Sequence, residues 1–280
     1  YVTCRDWGNA WLNEGFASYY EALWDEYALG KDAFAENMLD KSFGAIGSFK
    51  RWPRPLVSYR PEDEGHLFDG TTYDKGAWIL HILRHELGNR EFHAAIERYL
   101  KDNGHRNVDT YDLIRAVQDS TGRYMQEWFQ QWVFSPGHPV LKVSHAWEEG
   151  KGLRVTIQQT QNTAKGIPIF KFPLDIAWEN GKGIFLDTVN ITGKEQSFLI
   201  ETGTQPLQVV VDPHGLLLAE VNQTRTSAEW MRTAAYGPSS LARLKALQAL
   251  QRSKPGAEWV DTLLVILNAD NRPMVRAAAF

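Results

Sequence analysis

The sequence predicts a multidomain α+β protein, in which a helical block is followed by an antiparallel β-sandwich and then by the start of an α-solenoid with HEAT-like repeats. The spacing of apolar residues is helical up to about residue 133, alternates after Pro139, and becomes helical again from about Ser227. A length of 280 residues also exceeds what one hydrophobic core usually organises. We therefore expect three domains, at residues 1–138, 139–222 and 223–280.

The first domain is predicted to be all-helical. One face of its first helix, which should end near Gly30, is indicated by apolar residues at helical spacing: Phe16, Tyr20, Leu23 and Tyr27. Three prolines within 50–70 predict an irregular surface segment. The remaining apolar periodicities predict helices at about 32–43, 73–87, 91–100, 110–120 and 124–134.

The second and third domains are predicted from a change of period. Segments such as VLKVSHAW and LRVTIQQT alternate polar and apolar residues, and Asn180-Gly181 is typical of a hairpin turn. Leucines at helical spacing, from Leu241 to Leu250, then predict a helix, and Pro273 stands where a further helix would begin. Helix pairs of this length indicate the opening of a solenoid.

Composition excludes several classes of partner and site. A formal charge of −4, with no run of Lys and Arg longer than a pair, offers no electrostatic surface for nucleic acid. No apolar run is long enough to predict a membrane span. The single cysteine, Cys4, excludes an internal disulfide and a multi-cysteine metal cage.

Two motifs carry the chemistry of this sequence. WLNEGFASYYE begins at Trp11, and TTYDKGA begins at Thr71, roughly sixty residues later. In this order and spacing they resemble the alanyl aminopeptidase family of gluzincin zinc metallopeptidases. The resemblance extends through FQQW at Phe129 and GHPVLKV at Gly137. It implies that the first domain is the C-terminal half of a thermolysin-like catalytic domain.

The resemblance assigns a role to one residue in each motif. Glu14 matches the glutamate that supplies the third zinc ligand, after two histidines of a His-Glu-x-x-His helix. Tyr73 matches the tyrosine whose hydroxyl donates a hydrogen bond to the oxyanion when water attacks the peptide carbonyl. The cofactor implied is one zinc ion, and the partner implied is a peptide substrate with a free N-terminus.

The histidine helix itself is not in this sequence. Thirteen residues precede Glu14, so the family's eighteen-residue spacer places the second histidine six positions before Tyr1. The glutamate that acts as general base and the Gly-x-Met-Glu-Asn segment that grips the substrate's amino terminus are also lacking. We expect an internal segment of a longer aminopeptidase that is inactive by itself.

Other residue patterns have competing interpretations. His81 and His85 have the i, i+4 spacing of zinc ligands, but Ile82 stands where His-Glu-x-x-His needs its glutamate. We therefore interpret both histidines as structural. Asp69 could shape a pocket around Tyr73 or cap a helix. The alternative for the whole chain is a non-catalytic aminopeptidase-like scaffold, which the residues upstream of Tyr1 would distinguish from the enzyme.

Overall fold

The computed structural model describes residues 2–253, 258–270 and 272–279. Within these ranges the chain forms a mixed helical and sheet fold in two compact units. The first unit comprises the chain up to Pro139 with Gln161–Phe170 and Leu216–Leu218. The second unit comprises Val140–Thr160, Lys171–Gly215 and the chain from Ala219 onward.

The first unit is predominantly helical. Its helices are α1 (Trp11–Ala28), α2 (Lys31–Arg51), α3 (Gly76–Leu87), α4 (Asn89–Asp102), α5 (Thr110–Thr121) and α6 (Gln126–Trp132). Two short strands, β1 (Thr3–Cys4) and β2 (Asn107–Val108), pair in parallel. Short 3₁₀ turns lie at Trp7–Asn9 and Pro61–His66, and a π-helical turn at Thr71–Lys75 leads into α3.

The buried face of α1 differs from the predicted one. The structure buries Trp11, Leu12, Gly15, Tyr19 and Ala22. Tyr20 and Tyr27 of the predicted stripe are 43% and 83% exposed. The helical period was correct, but the face was wrong, because the small residues Gly15 and Ala22 allow close packing on the other side of the helix.

The segment between α2 and the π turn is irregular, as predicted, but only part of it lies on the surface, where Tyr59 and Phe68 are 65% and 58% exposed. Arg54, Leu56, Val57 and Leu67 are all buried. The helix α2 extends to Arg51, eight residues beyond the predicted end, and stops just before Pro53, which disfavours helical conformation in the residue that precedes it.

The second unit contains two sheets and a helical region. Its strands are β3 (Val140–Glu148), β4 (Gly152–Gln159), β5 (Phe172–Asn180), β6 (Gly183–Ile191), β7 (Glu195–Ile200), β8 (Gln208–Val211) and β9 (Glu220–Gln223). One sheet has the order β7-β4-β3-β9 and the other β6-β5-β8. Asn180 pairs with Gly183 across a two-residue turn, which confirms the predicted hairpin.

The sequence predicted antiparallel sheets, and one strand pair departs from this prediction. β3 pairs with β9 in parallel, from Val140 opposite Glu220 to Val143 opposite Gln223. The partner strand is four residues long and follows a long excursion through the other sheet, so no local turn signal indicates its direction.

Four helices complete the second unit: α7 (Ser227–Tyr236), α8 (Ser240–Ser253), α9 (Glu258–Ala269) and α10 (Pro273–Ala278). A capping box between Thr226 and Glu229 begins α7. Their shared core includes Leu247, Leu250 and Ile266, all close to fully buried. No helix in the described ranges is long and apolar enough to cross a membrane.

Candidate active site

Glu14 lies in the first turn of α1, and the start of this helix is fixed by hydrogen bonds to α5. The side-chain oxygen of Asn9 accepts hydrogen bonds from the backbone nitrogen and the hydroxyl of Thr110, at 3.0 and 2.8 Å. Trp11 Nε1 donates to the same hydroxyl at 3.0 Å. These contacts are buried, so the turn that presents the half-buried Glu14 is held rigidly.

Tyr73 lies on the π turn that precedes α3, where the sequence predicted ordinary helix. Asp69 Oδ1 accepts hydrogen bonds from the backbone nitrogens of Thr71 and Thr72, at 2.9 and 3.3 Å. The buried guanidinium of Arg54 donates to Asp69 at 2.6 Å and to the Thr72 hydroxyl at 2.9 Å. Of the two interpretations left open for Asp69, these bonds favour capping of the turn.

Two glycines bring the motifs together. A Cβ atom on Gly15 would lie 2.8 Å from the Cα atom of Gly76, and a Cβ atom on Gly76 would lie 2.8 Å from the Cα atom of Gly15. Real Cβ atoms do not approach backbone this closely, so only glycine fits at either position of this helix crossing. Each glycine is next to, or close to, a predicted site residue, and the crossing sets Glu14 beside Tyr73.

The charge of Glu14 acts on the Tyr73 hydroxyl. Burial raises the pKa of the Tyr73 hydroxyl above its usual value, and the charge of Glu14 and a hydrogen bond to Glu14 raise this pKa further. Because the phenol is even less acidic than usual, it keeps its proton at neutral pH. The Tyr73 hydroxyl is therefore a hydrogen-bond donor with a carboxylate beside it.

The two histidines of HILRHE have different environments. His81 is buried on α3, with the hydroxyl of Tyr19 3.3 Å from its Nδ1 atom and aromatic contacts to Phe34 and Trp78. His85, one turn later, is exposed to solvent. The structure therefore gives these residues no common site, although their spacing resembles a ligand pair.

The metal-donor side chains in the described part of the chain do not make a zinc site by themselves. Among residues 2–253, 258–270 and 272–279, no three His, Cys, Asp or Glu side chains are grouped so that they could hold a metal ion. Glu14 is an oxygen donor of a kind that zinc accepts, but a catalytic zinc needs three protein ligands. The charge of Glu14 acts on Tyr73 and also on Cys4, so at most a pair of ligand-type side chains is grouped around Glu14 in the described part of the chain.

Sequence reasoning missed the supporting residues of this site: Gly15, Gly76, Arg54 and Lys75. Lys75 is 4% exposed, and its amine has no hydrogen-bond partner in the described part of the chain. Burial and then the charge of Arg54 lower the pKa of Lys75 to about 7. The glycines were visible inside both motifs, but only the crossing of α1 and α3 gives them a function.

Residues 1–132 match the family model described as the Peptidase family M1 domain. The match covers just under half of the 280 residues. The predicted resemblance to an aminopeptidase family is thereby confirmed, and the whole match lies in the unit that holds Glu14 and Tyr73.

Named relatives agree with this family. The chain is 30% identical over 191 residues to tricorn protease-interacting factor F2 of Thermoplasma acidophilum, covering 66% of this chain and 24% of that protein. It is 32% identical over 149 residues to glutamyl aminopeptidase of Bitis rhinoceros, covering 51% of this chain and 15% of that protein. The chain thus spans about a quarter or less of the length of these relatives.

A solved structure shares the fold. Aminopeptidase A of Legionella pneumophila, crystallised with aspartic acid, aligns with 99% of this chain at a TM-score of 0.76. The alignment covers 31% of that protein, at 18% sequence identity. At this identity the likeness supports the mixed helical and sheet fold alone.

Proposed function

We propose that this chain is part of a zinc-dependent aminopeptidase that removes N-terminal residues from peptides. In this proposal Glu14 is the third zinc ligand and Tyr73 is the oxyanion donor. The observation that carries it is the crossing at Gly15 and Gly76, which sets a carboxylate and a protonated phenol side by side. Both residues come from the two motifs that resemble the aminopeptidase family.

The chemistry assigned to Tyr73 follows from its protonation state. A hydroxyl that keeps its proton can donate to negative charge that develops on a peptide carbonyl oxygen during hydrolysis. The rigid π turn fixes the phenol before substrate arrives, so little reorganisation is needed. Glu14, held by the anchored start of α1, offers its carboxylate as one metal ligand.

The remaining groups of the site belong, in this proposal, to a segment outside the 280 residues. That segment would supply two histidine ligands and the general base on a His-Glu-x-x-His helix. A zinc ion, when bound, would supply Lewis-acid polarisation of the reacting groups. The chain alone is expected to be inactive.

The finer domain organisation is also a proposal. We assign residues 1–138 to the helical half of a thermolysin-like peptidase domain, 139–222 to a β-sandwich, and 223–280 to the start of a HEAT-like solenoid. The alignment of 99% of the chain with one aminopeptidase fold supports a continuous arrangement of this kind.

The proposal is tested by exchanging Tyr73 in the longer protein that contains the histidine helix. Tyr73→Phe removes only the hydroxyl, so we expect kcat to fall about 10²- to 10³-fold while zinc content, measured by elemental analysis, is unchanged. Glu14→Ala should instead lose zinc, because two ligands hold the ion poorly.

Tyr124→Phe is the matched control, because Tyr124 is 75% exposed and lies outside the two motifs. Its kcat should equal that of the wild type. If Tyr73→Phe leaves kcat unchanged, Tyr73 is not the hydrogen-bond donor to the oxyanion. If the residues before Tyr1 contain no His-Glu-x-x-His, the non-catalytic scaffold becomes the better proposal.

A further inference from the structure

A buried amine close to the candidate site has no hydrogen-bond partner among the residues that the structure describes. Lys75, two residues after Tyr73 on the same π turn, is 4% exposed. Its Nζ atom makes no hydrogen bond to any residue that the structure describes. Burying an ammonium group without a hydrogen-bond acceptor is strongly unfavourable, so a buried lysine amine normally has a partner.

The surroundings of Lys75 are electropositive. Arg54, which is fully buried, lies close enough that its charge acts on Lys75. Arg54 is itself paired with Asp69, so that carboxylate is already engaged by a guanidinium. Thr71, four residues before Lys75 on the same turn, also has a buried hydroxyl that makes no hydrogen bond to the described residues. When Lys75 is protonated, the cluster therefore has one positive charge more than it has carboxylates.

No carboxylate in the described part of the chain pairs with Lys75. The adjacent acid, Asp74, faces α2, where its carboxylate packs against Gly44 and interacts with Lys41. The two influences on Lys75 are burial and Arg54, and both disfavour its charge. A water molecule could accept a hydrogen bond here, but it would leave the charge uncompensated.

We propose that Lys75 Nζ binds an acidic side chain from the part of the peptidase domain that lies outside this sequence. The inference rests on the proposed function, because that function places the rest of the catalytic domain against this unit. Charge complementarity selects a carboxylate as the occupant, and the Thr71 hydroxyl is available to donate to the same group. The pairing joins the missing segment directly to the turn that carries Tyr73.

The test compares one substitution in two contexts. In the 280-residue chain Lys75→Met removes an amine that has no partner among the described residues, so the thermal midpoint should rise by about 3–6 °C. In the longer protein the same substitution leaves the acidic partner buried and unpaired, so the midpoint should fall by a similar amount. The test is whether the thermal midpoint changes in opposite directions in the two proteins.

Lys101→Met is the control, because Lys101 is 72% exposed and forms an i, i+4 ion pair with Glu97. This substitution should change the thermal midpoint by less than about 1 °C in either context. Lys75→Arg keeps the charge and should retain part of the stability of the longer protein. A Lys75→Met change of the same sign in both contexts, or failure of that variant to fold in the 280-residue chain, overturns the inference.

The measurement separates this inference from the proposed function. If the signs reverse but the longer protein has no peptidase activity, the proposed function fails and the Lys75 site stands. If the longer protein is active and the signs agree, the Lys75 site fails and the function stands.

Discussion

At the scale of single residues, the glycine pair between α1 and α3 makes the sharpest prediction. Gly76→Ala should destabilise the chain by about 1–3 kcal/mol, because the new methyl group would meet the Gly15 backbone and force the helices apart. Urea unfolding monitored by circular dichroism measures the change. The same separation should move Tyr73 from Glu14 and lower the activity of the longer protein.

Gly47→Ala is the control for Gly76→Ala. Gly47 lies in α2 and is exposed, and a Cβ atom added there would have no neighbouring atom within 4 Å. Alanine there should stabilise the helix by about 0.5–1 kcal/mol. Equal effects of the two substitutions would show that the crossing tolerates a side chain and that another contact sets Glu14 beside Tyr73.

The residues of the candidate site were predictable from sequence to different degrees. Glu14 and Tyr73 stand in recognisable motifs, and the structure brings them together. Their roles remain predictions. Arg54 could not have been identified, because an isolated arginine in a proline-rich segment normally predicts solvent exposure. Its burial depends on acceptors 12 to 18 residues away, on His66, Asp69 and Thr72.

At the scale of elements, the π turn at Thr71–Lys75 depends on Arg54 as a clamp. Arg54→Met should destabilise the chain by about 3–5 kcal/mol, because it leaves Asp69 and the partly buried carbonyl oxygens of Pro55 and His66 without their donor. Arg98→Met, in an exposed pair with Asp102, should change stability by at most about 0.5 kcal/mol. Urea titrations of both variants decide whether the clamp holds the turn, and similar midpoints would contradict it.

Helical periods were easier to predict than helical faces. The apolar pattern located α1 well, but it assigned the stripe that contains Tyr20 and Tyr27 to the core, whereas these two residues are 43% and 83% exposed. Small residues pack more closely than aromatic ones, and no periodicity reveals which face meets another helix. The π turn is unpredictable for a similar reason, since Asp69 and Arg54 impose it from outside the turn.

At the scale of the whole molecule, the first compact unit includes residues that lie beyond its predicted end in the sequence. The predicted boundary at residue 138 follows the change of period, but Gln161–Phe170 belongs to the first unit. Ile167 packs against Gly137, and the ring of Phe170 lies 4.8 Å from that of Trp132. This segment is a loop between strands in the sequence, and only long-range packing determines which unit it joins.

This packing predicts that Phe170 stabilises the helical unit. Phe170 and Trp132 are both fully buried, so Phe170→Ala should destabilise the unit by about 3–5 kcal/mol through lost contacts and a cavity. Phe185→Ala is the control, since Phe185 is 41% exposed and stacks on Trp178. Its loss should be about 1 kcal/mol. Urea unfolding monitored by tryptophan fluorescence reports both. Comparable losses would mean that the helical unit is complete without this segment, and that the change of period near Pro139 marks its true end.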